Sequence, residues 1–495
     1  MRQRAVRAWV LWCVLVAQIV LTLPWLWRTA PFTDEALYLS AGHQEWSHWL
    51  HGTALPDYAS WFSGAPVLYP PLGALADSLG GLAAARALSL VLMLGATSFV
   101  YLAAARLFGR EAGLFACAVF AVCGLVVHNG AFATYNPLAL FLLAAGTWAG
   151  VRASDGSYGW LAACAAALAM ANAAKYATLA WDPVVVGVAF LHAWPRGAAE
   201  ALRRGFSLAM TLAFLDLGLL ACAGLQYYRG VMDTTVARTI HFGTTSPPSA
   251  ILGRAAIITG LIVVPALVGV LMSVVLRARF CVTALLLLLV LGAFIAPLDQ
   301  AHLGQLGSLD KNMGFGLPFA AIAAGYGCSA VISWSGQRLP AARLAAAAAC
   351  GCLVAAVLIT GRIQTVQFRG VSTTVATQLV STIGHGYKRG TYILSDGAAR
   401  MEQYYLPQIP FHSWLGIFDP TAATQAAYEK RICSDAVSLV ILRLSHKLYD
   451  HPYDSRVVKL LSRTGKYRLA ITAGQGNYAT QVWQLEPGGG RGGCR

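Results

Sequence analysis

The chain has 495 residues, 57% of them hydrophobic and only 12% charged, with a mean hydropathy of +0.59. Soluble domains carry about a quarter charged residues, so a water-soluble body is excluded and membrane integration is expected. The net charge of +15 would suit nucleic acid, but the basic residues sit in short loops between apolar runs, which excludes that partner.

In chain order, apolar runs long enough to cross a bilayer are expected near 8–27, 83–105, 111–128, 131–150, 158–174, 176–194, 206–227, 253–276, 280–298, 313–334 and 342–361, about eleven spans. Arg2, Arg4 and Arg7 precede the first, whose apolar core is longer than a signal peptide's and lacks an A-x-A site, so it reads as an uncleaved anchor. With a cytoplasmic N-terminus, every short loop on that side carries arginine: Arg106 and Arg110, Arg152, Arg196 with Arg203 and Arg204, Arg277 with Arg279, Arg338 with Arg343. The positive-inside rule then predicts a multi-pass plasma-membrane protein, solvated by membrane lipids, with its C-terminal tail outside.

The loop 28–82 after the first span is long and not disordered. Thr33 can cap a helix beginning at Asp34, with Leu37, Ala41, Trp46, Trp49 and Leu50 on one apolar side. Trp46, Trp49 and Trp61 suit the water–lipid boundary, which predicts an amphipathic helix on the outer leaflet. Tyr69-Pro70-Pro71-Leu72 reads as a non-helical turn, followed by a short helix near 72–80 leading into the second span. The membrane body is placed at 1–361 and an extracytoplasmic domain at 362–495. In the latter, 391–396, 437–442 and 467–472 read as strands and 421–432 as a helix, predicting a small α/β domain. Nine of the eleven cysteines fall within spans, as small apolar residues. Cys433 and Cys494, both in the tail, could pair in an oxidising compartment. No zinc-type spacing occurs; no cofactor is indicated, and a divalent metal stays open.

Three groups of residues could carry chemistry. Asp34 and Glu35 begin a helix at the mouth of the membrane body, where a carboxylate can accept a proton from an attacking hydroxyl, although acidic residues also simply favour a helix start. Arg28, Lys175, Arg229, Arg238, Arg254 and Lys311 are basic residues on the predicted outer side, placed to grip a phosphate at headgroup depth or merely to snorkel. Lys175 stands out, between two spans with almost no loop to solvate it. Asp182 follows it by seven residues, two α-helical turns, so both could line one cavity. His128, Asn136, Asp216 and the stretch from Asp233 to His241 add intramembrane polarity, which commonly marks a site. The polar loop from Asp299 to Asn312, including His302 and Lys311, could close over a substrate.

At these residues the chain resembles the GT-C-type membrane glycosyltransferases, specifically the bacterial protein O-mannosyltransferase and aminoarabinose-transferase relatives. The resemblance rests on Asp34-Glu35 with Ala36 and Tyr38, on Tyr69-Pro70-Pro71-Leu72, on Ala84-Ala85-Arg86, on Ala105 through Arg110, and on Lys175-Tyr176. It covers about the first 200 residues well. It implies a GT-C-like fold and a sugar donor carried on polyprenyl phosphate. Transfer to a lipid, polysaccharide or protein acceptor would occur on the extracytoplasmic face, with inversion if the acceptor displaces phosphate in one step. Carried over by position, Asp34 is the catalytic carboxylate, Glu35 its neighbour, and Lys175 holds donor phosphate; Tyr69, Tyr176, Asp182, Arg238, His241, His302 and Lys311 complete the expected substrate-binding set. Where relatives often carry an acid near the start of the fourth span, this chain has Asn136, and no basic residue lies just before the Pro70-Pro71-Leu72 motif. The alternatives from other classes are a polyprenyl-lipid transporter or flippase, and a non-catalytic envelope assembly factor. A transporter commonly shows two related halves, which the sequence lacks.

Overall fold

A computed structural model describes residues 2–60, 62–153, 157–235, 246–367, 371–395, 399–416, 421–445, 448–449, 453–474 and 479–486. The chain forms two compact units: residues 1–26 with 42–368, and residues 27–41 with 369–495. The second takes in a segment of the loop after the first span as well as the tail.

The first unit is helical throughout. Its helices are α1 (Arg2–Thr22), the C-terminal part of α2 (Thr33–His51), α3 (Tyr69–Phe108), α4 (Arg110–Ala121), α5 (Gly124–Ala131), α6 (Tyr135–Ala153), α7 (Tyr158–Ala174), α8 (Asp182–Ala193), α9 (Ala198–Thr235), α10 (Pro248–Val275), α11 (Phe280–Leu303), α12 (Leu309–Gly336) and α13 (Pro340–Gln367). Each of the eleven expected spans falls on one of these helices or on a pair. Seven are long and apolar enough to cross a membrane, eight if the pair α4–α5, bent by 63°, counts as one; Trp9–Trp25 and Tyr158–Ala174 are shorter apolar helices. The chain is a polytopic α-helical membrane protein. Leu202, Phe206, Met210, Phe214 and Leu217 form an exposed apolar stripe along α9, which only lipid can solvate favourably.

α12 is the most buried candidate span, with 83% of its apolar window inside. Glycine permits its close crossings: a Cβ at Gly327 would lie 2.2 Å from the Pro265 carbonyl oxygen of α10, and one at Gly325 2.2 Å from that of Ala112 in α4. Arg86 is fully buried and donates to the Leu26 carbonyl at 3.0 Å, supplying a partner to the end of the first span.

Two expectations about the outer loop are corrected. Tyr69-Pro70-Pro71 is not a turn before a helix; it is the first turn of α3, with Leu68 as the cap. Proline fits there because the first N–H groups of a helix have no intrahelical acceptor to lose. α3 then breaks at Gly80–Gly81, where Gly81 has φ +67°, so a short helix does lead into the second span. The cap of α2 is Phe32 rather than Thr33. Its carbonyl accepts the Ala36 N–H at 3.0 Å, and its own N–H donates to Glu35 Oε2 at 3.2 Å, the reciprocal half of a capping box.

The second unit is an α/β sandwich. Its elements are α14 (Thr373–Gly386), β1 (Tyr392–Ser395), α15 (Arg400–Tyr405), β2 (Trp414–Gly416), α16 (Ala422–Cys433), β3 (Val437–Ser445), β4 (Leu448–Tyr449), α17 (Asp454–Thr464), β5 (Tyr467–Ala473) and β6 (Ala479–Leu485). The strand order is β2-β1-β3-β6-β5, with β4 paired to β3. β1 runs parallel to β2 and β3, while β6 is antiparallel to β3 and β5. Alternation along the strands feeds two cores. Ile393, Leu439, Ile441 and Val482 pack with Leu379 and Ile383 of α14. Leu394, Val440, Leu442 and Leu485 pack with Ile432 of α16 and Val457 and Leu461 of α17. The segment 27–41 joins this unit through Ala30, whose N–H donates to the Val371 carbonyl at 2.9 Å. Cys433 is disulfide-bonded, Cys494 lies outside the described residues, and the cysteines of the spans are free.

Candidate functional site

The first unit holds a cavity of about 400 Å3, within the range of small-molecule sites. Lys175 lies on its wall because the chain leaves α-helical geometry there. α7 stops at Ala174, Lys175 is extended (φ −152°, ψ 114°), and residues 176–181 form a tight 3-10 turn before α8. The turn is tied down at both ends. Thr178 Oγ1 donates to the Lys175 carbonyl at 2.9 Å and to Asn172 Oδ1 at 2.8 Å, and Trp181 Nε1 donates to the Gly292 carbonyl of α11 at 2.8 Å.

Lys175 is 6% exposed. Its Nζ donates to Asn136 Oδ1 at 3.1 Å and lies over the Tyr135 and Phe315 rings, 5.0 and 5.7 Å from their centroids. Asn136 Oδ1, a neutral amide oxygen, thereby orients the ammonium. Tyr176, Trp181, Thr234 and Thr235 share the lining with Lys175. The end of α11 and the following loop add Asp299, Gln300, Gln305, Ser308 and Asn312. Ser308 Oγ donates to Gln300 Oε1 at 2.8 Å, and Gln300 Nε2 donates to Asp299 Oδ2 at 3.0 Å.

The remaining wall is set by a close backbone approach. Ala65 N–H donates to the Ala173 carbonyl at 2.7 Å and Tyr176 N–H to the Ser63 carbonyl at 3.1 Å, bringing Ser63 to the cavity and to the Tyr135 hydroxyl. A Cβ on Gly64 would lie 2.1 Å from the Ala174 carbonyl oxygen. Gly64→Ala is therefore expected to push the loop off α7 and to cost about 1–3 kcal/mol. A lowered thermal midpoint in detergent checks this; an unchanged midpoint would refute it.

Asp182 does not line this cavity, contrary to the spacing argument. Seven residues make two turns only of an α-helix, and here an extended residue and a 3-10 turn intervene. Instead Asn172 Nδ2 donates to Asp182 Oδ2 at 2.7 Å and to Asp216 Oδ2 at 3.2 Å, so Asp182 and Asp216 share one amide. Tyr69 is buried in the first turn of α3, while His302 and Lys311 are exposed and do not line the cavity. Arg254 pairs with Asp310 at 3.3 Å. Arg238, His241 and Trp61 lie outside the described residues.

Asp34 and Glu35 belong to the second unit. Asp34 is half-exposed on the first turn of α2, whereas Glu35 is fully buried and holds the Phe32 N–H. Sequence reasoning passed over Ser63, which no local motif marks; Thr234 and Thr235 belong to the polar stretch from Asp233 to His241 that it singled out. Among the described residues no group of three His, Cys, Asp or Glu side chains could hold a metal ion.

The apo structure of ArnT from Cupriavidus metallidurans is similar over 97% of this chain and 98% of that one, with a TM-score of 0.64 and 14% identity. The same protein bound to undecaprenyl phosphate gives a TM-score of 0.61 at 13% identity, covering 97% of each chain. The chain has the GT-C fold. The archaeal oligosaccharyltransferase AglB from Archaeoglobus fulgidus, in complex with an inhibitory peptide and a dolichol-phosphate, shares the GT-C fold. It has a TM-score of 0.60 and 13% identity over 89% of this chain and 69% of that one. No protein-family model and no curated protein matches the chain.

Proposed function

We propose that this GT-C-fold protein is an integral membrane glycosyltransferase. It transfers a sugar from a polyprenyl-phosphate donor to an envelope or secreted acceptor on the extracytoplasmic face of the plasma membrane. The observation that carries the reading is a buried lysine, held by a neutral amide, on the wall of a cavity large enough for a phosphosugar. The similarity in fold to a protein bound to undecaprenyl phosphate supports it.

In this reaction the acceptor hydroxyl attacks the anomeric carbon opposite the phosphate. The new C–O bond forms as the bond to the phosphate oxygen breaks, and the phosphate leaves with the electron pair. Lys175 stabilises the charge gathering on that oxygen. Asp34 takes the proton released by the acceptor. A single displacement inverts the anomeric centre and needs no enzyme nucleophile. The topology is N-terminus inside, with the 362–495 region outside. The test is transfer from labelled polyprenyl-phosphate sugars in membranes containing the protein. Product above protein-free membranes is expected; movement of the labelled lipid between leaflets without any product would instead establish a transporter.

A further inference from the structure

Three helices of the second unit end at one edge of its sheet. α14, α16 and α17 lead into β1, β3 and β5. β1 is parallel to β3, and β6 is antiparallel to both β3 and β5, so β1, β3 and β5 all start at the same edge. From β1 to β5 that edge spans three strand spacings, about 14 Å.

Each of these connections delivers cations to the edge. Lys388 and Arg389 precede β1, Lys430 and Arg431 lie in the last turn of α16, and Arg463 lies in that of α17. Lys466 and Arg468 flank the start of β5. The acids there among the described residues are both engaged: Asp435 by Lys466 at 2.9 Å and Glu486 by Arg468 at 2.9 Å. Glu429, one turn back along α16, is held by Arg456 at 2.7 Å. Arg431 lies 4.5 Å from the centroid of the Tyr392 ring. Lys388, Arg389, Lys430 and Arg463 are exposed and make no side-chain hydrogen bond or ion pair among the described residues.

Two ordinary causes fall short of this surplus. Cations favour helix C-termini, but three such ends present only about half a negative charge each, against seven basic and two acidic side chains at the edge. Solvation alone would place charge on both helical layers, yet α14 contains no Asp, Glu, Lys or Arg. A row of unpaired cations matches a chain of recurring anions, whose attraction accumulates along the edge. A bilayer surface is the poorer match, because interfacial binding draws on inserted Trp, Phe or Leu. Of the exposed large apolar residues in this unit, Tyr405, Phe411 and Leu469, only Leu469 is near the edge.

We infer that this edge binds a flexible polyanion, a chain bearing a phosphate or carboxylate on successive units. Its occupancy does not depend on the reaction proposed for the Lys175 cavity.

The test is binding of fluorescently labelled polyphosphate, polygalacturonate and dextran to the full-length protein in an uncharged detergent, beside vesicles of phosphatidylglycerol and of phosphatidylcholine. At least one polyanion is expected to bind at low salt, about 10-fold or more tighter than dextran, and to be released near about 0.5 M salt, where screening is shorter than the edge. Whichever polymer binds identifies the anion. Replacing Lys388, Arg389 and Arg463 together by glutamine should weaken binding about 10-fold or more. The unfolding midpoint should hold, since none of the three has a partner to lose. Arg110→Gln, Arg277→Gln and Arg279→Gln together lower the net charge equally in the first unit and should leave affinity within about 2-fold. Polyanion binding no tighter than dextran's, affinity unchanged in the first triple variant, equal losses in the two, or adhesion to phosphatidylglycerol vesicles without binding of either polymer would each overturn the inference.

Discussion

Asp34→Asn is expected to lower sugar transfer by about 10²–10⁴-fold, the usual contribution of a positioned acid or base, with no loss of protein from the membrane. The substitution preserves shape and hydrogen-bonding capacity at the start of α2. Its structural cost is limited to the interaction of one charge with the helix dipole, about 0.3–1 kcal/mol. Glu35 is the internal control. Its carboxylate is fully buried and occupied by the Phe32 N–H, so Glu35→Ala should remove a cap and cost about 1 kcal/mol of stability. The two variants thus separate: one loses rate at constant abundance, the other loses thermal midpoint. Transfer above a tenth of wild type in Asp34→Asn would remove this carboxylate from proton transfer.

Lys175 carries the second large effect. On the proposed mechanism, replacing it by glutamine removes a charged donor to the donor phosphate, worth about 1.5–3 kcal/mol, or roughly 10–100-fold in donor affinity. The loss in rate is larger if the contact strengthens as phosphate departs. Asn136→Asp is the more informative partner. It would set a carboxylate about 3.1 Å from the ammonium, in competition with a donor phosphate for that cation. Donor KM should rise about 10-fold or more although Lys175 is still present, while the thermal midpoint holds. A purely structural lysine predicts the opposite: Lys175→Gln would unfold, and Asn136→Asp would transfer sugar normally.

The membrane body was legible because its signal is local. The eleven apolar runs fall on helices, the conformation that satisfies its own backbone locally, and seven or eight of them are long and apolar enough to cross a membrane. The strands at 392–395, 437–445 and 467–473 and the helix at 422–433 were readable for the same reason, from β-branched alternation and helix spacing. β6, Ala479–Leu485, escaped because glutamine dilutes its alternation and pairing between β3 and β5 fixes it.

What stayed hidden was every feature made by residues distant in sequence or by a break in regular geometry. Lys175 was conspicuous as a charge in an apolar stretch, but its partner Asn136 lies 39 positions away. The misjudged Asp182 shows how an unforeseen 3-10 turn defeats spacing arguments. The proline pair at Pro70–Pro71 shows a local rule applied one step too strictly, since a helix start and a turn share the same residues.

The link between Ala30 and Val371 sets an order on the making of this protein. About 340 residues separate the two partners, so at roughly 5–20 residues per second a ribosome needs some 17–70 s to supply the second after the first. Throughout that interval almost the whole series of spans is being inserted, while residues 27–41 wait without the chain they pack on. A protein truncated before the tail would leave this early segment bereft, and a tail expressed alone would lack its own first piece. Exposure of residues 27–41 would therefore distinguish a chain that lacks the 369–495 region from a finished one.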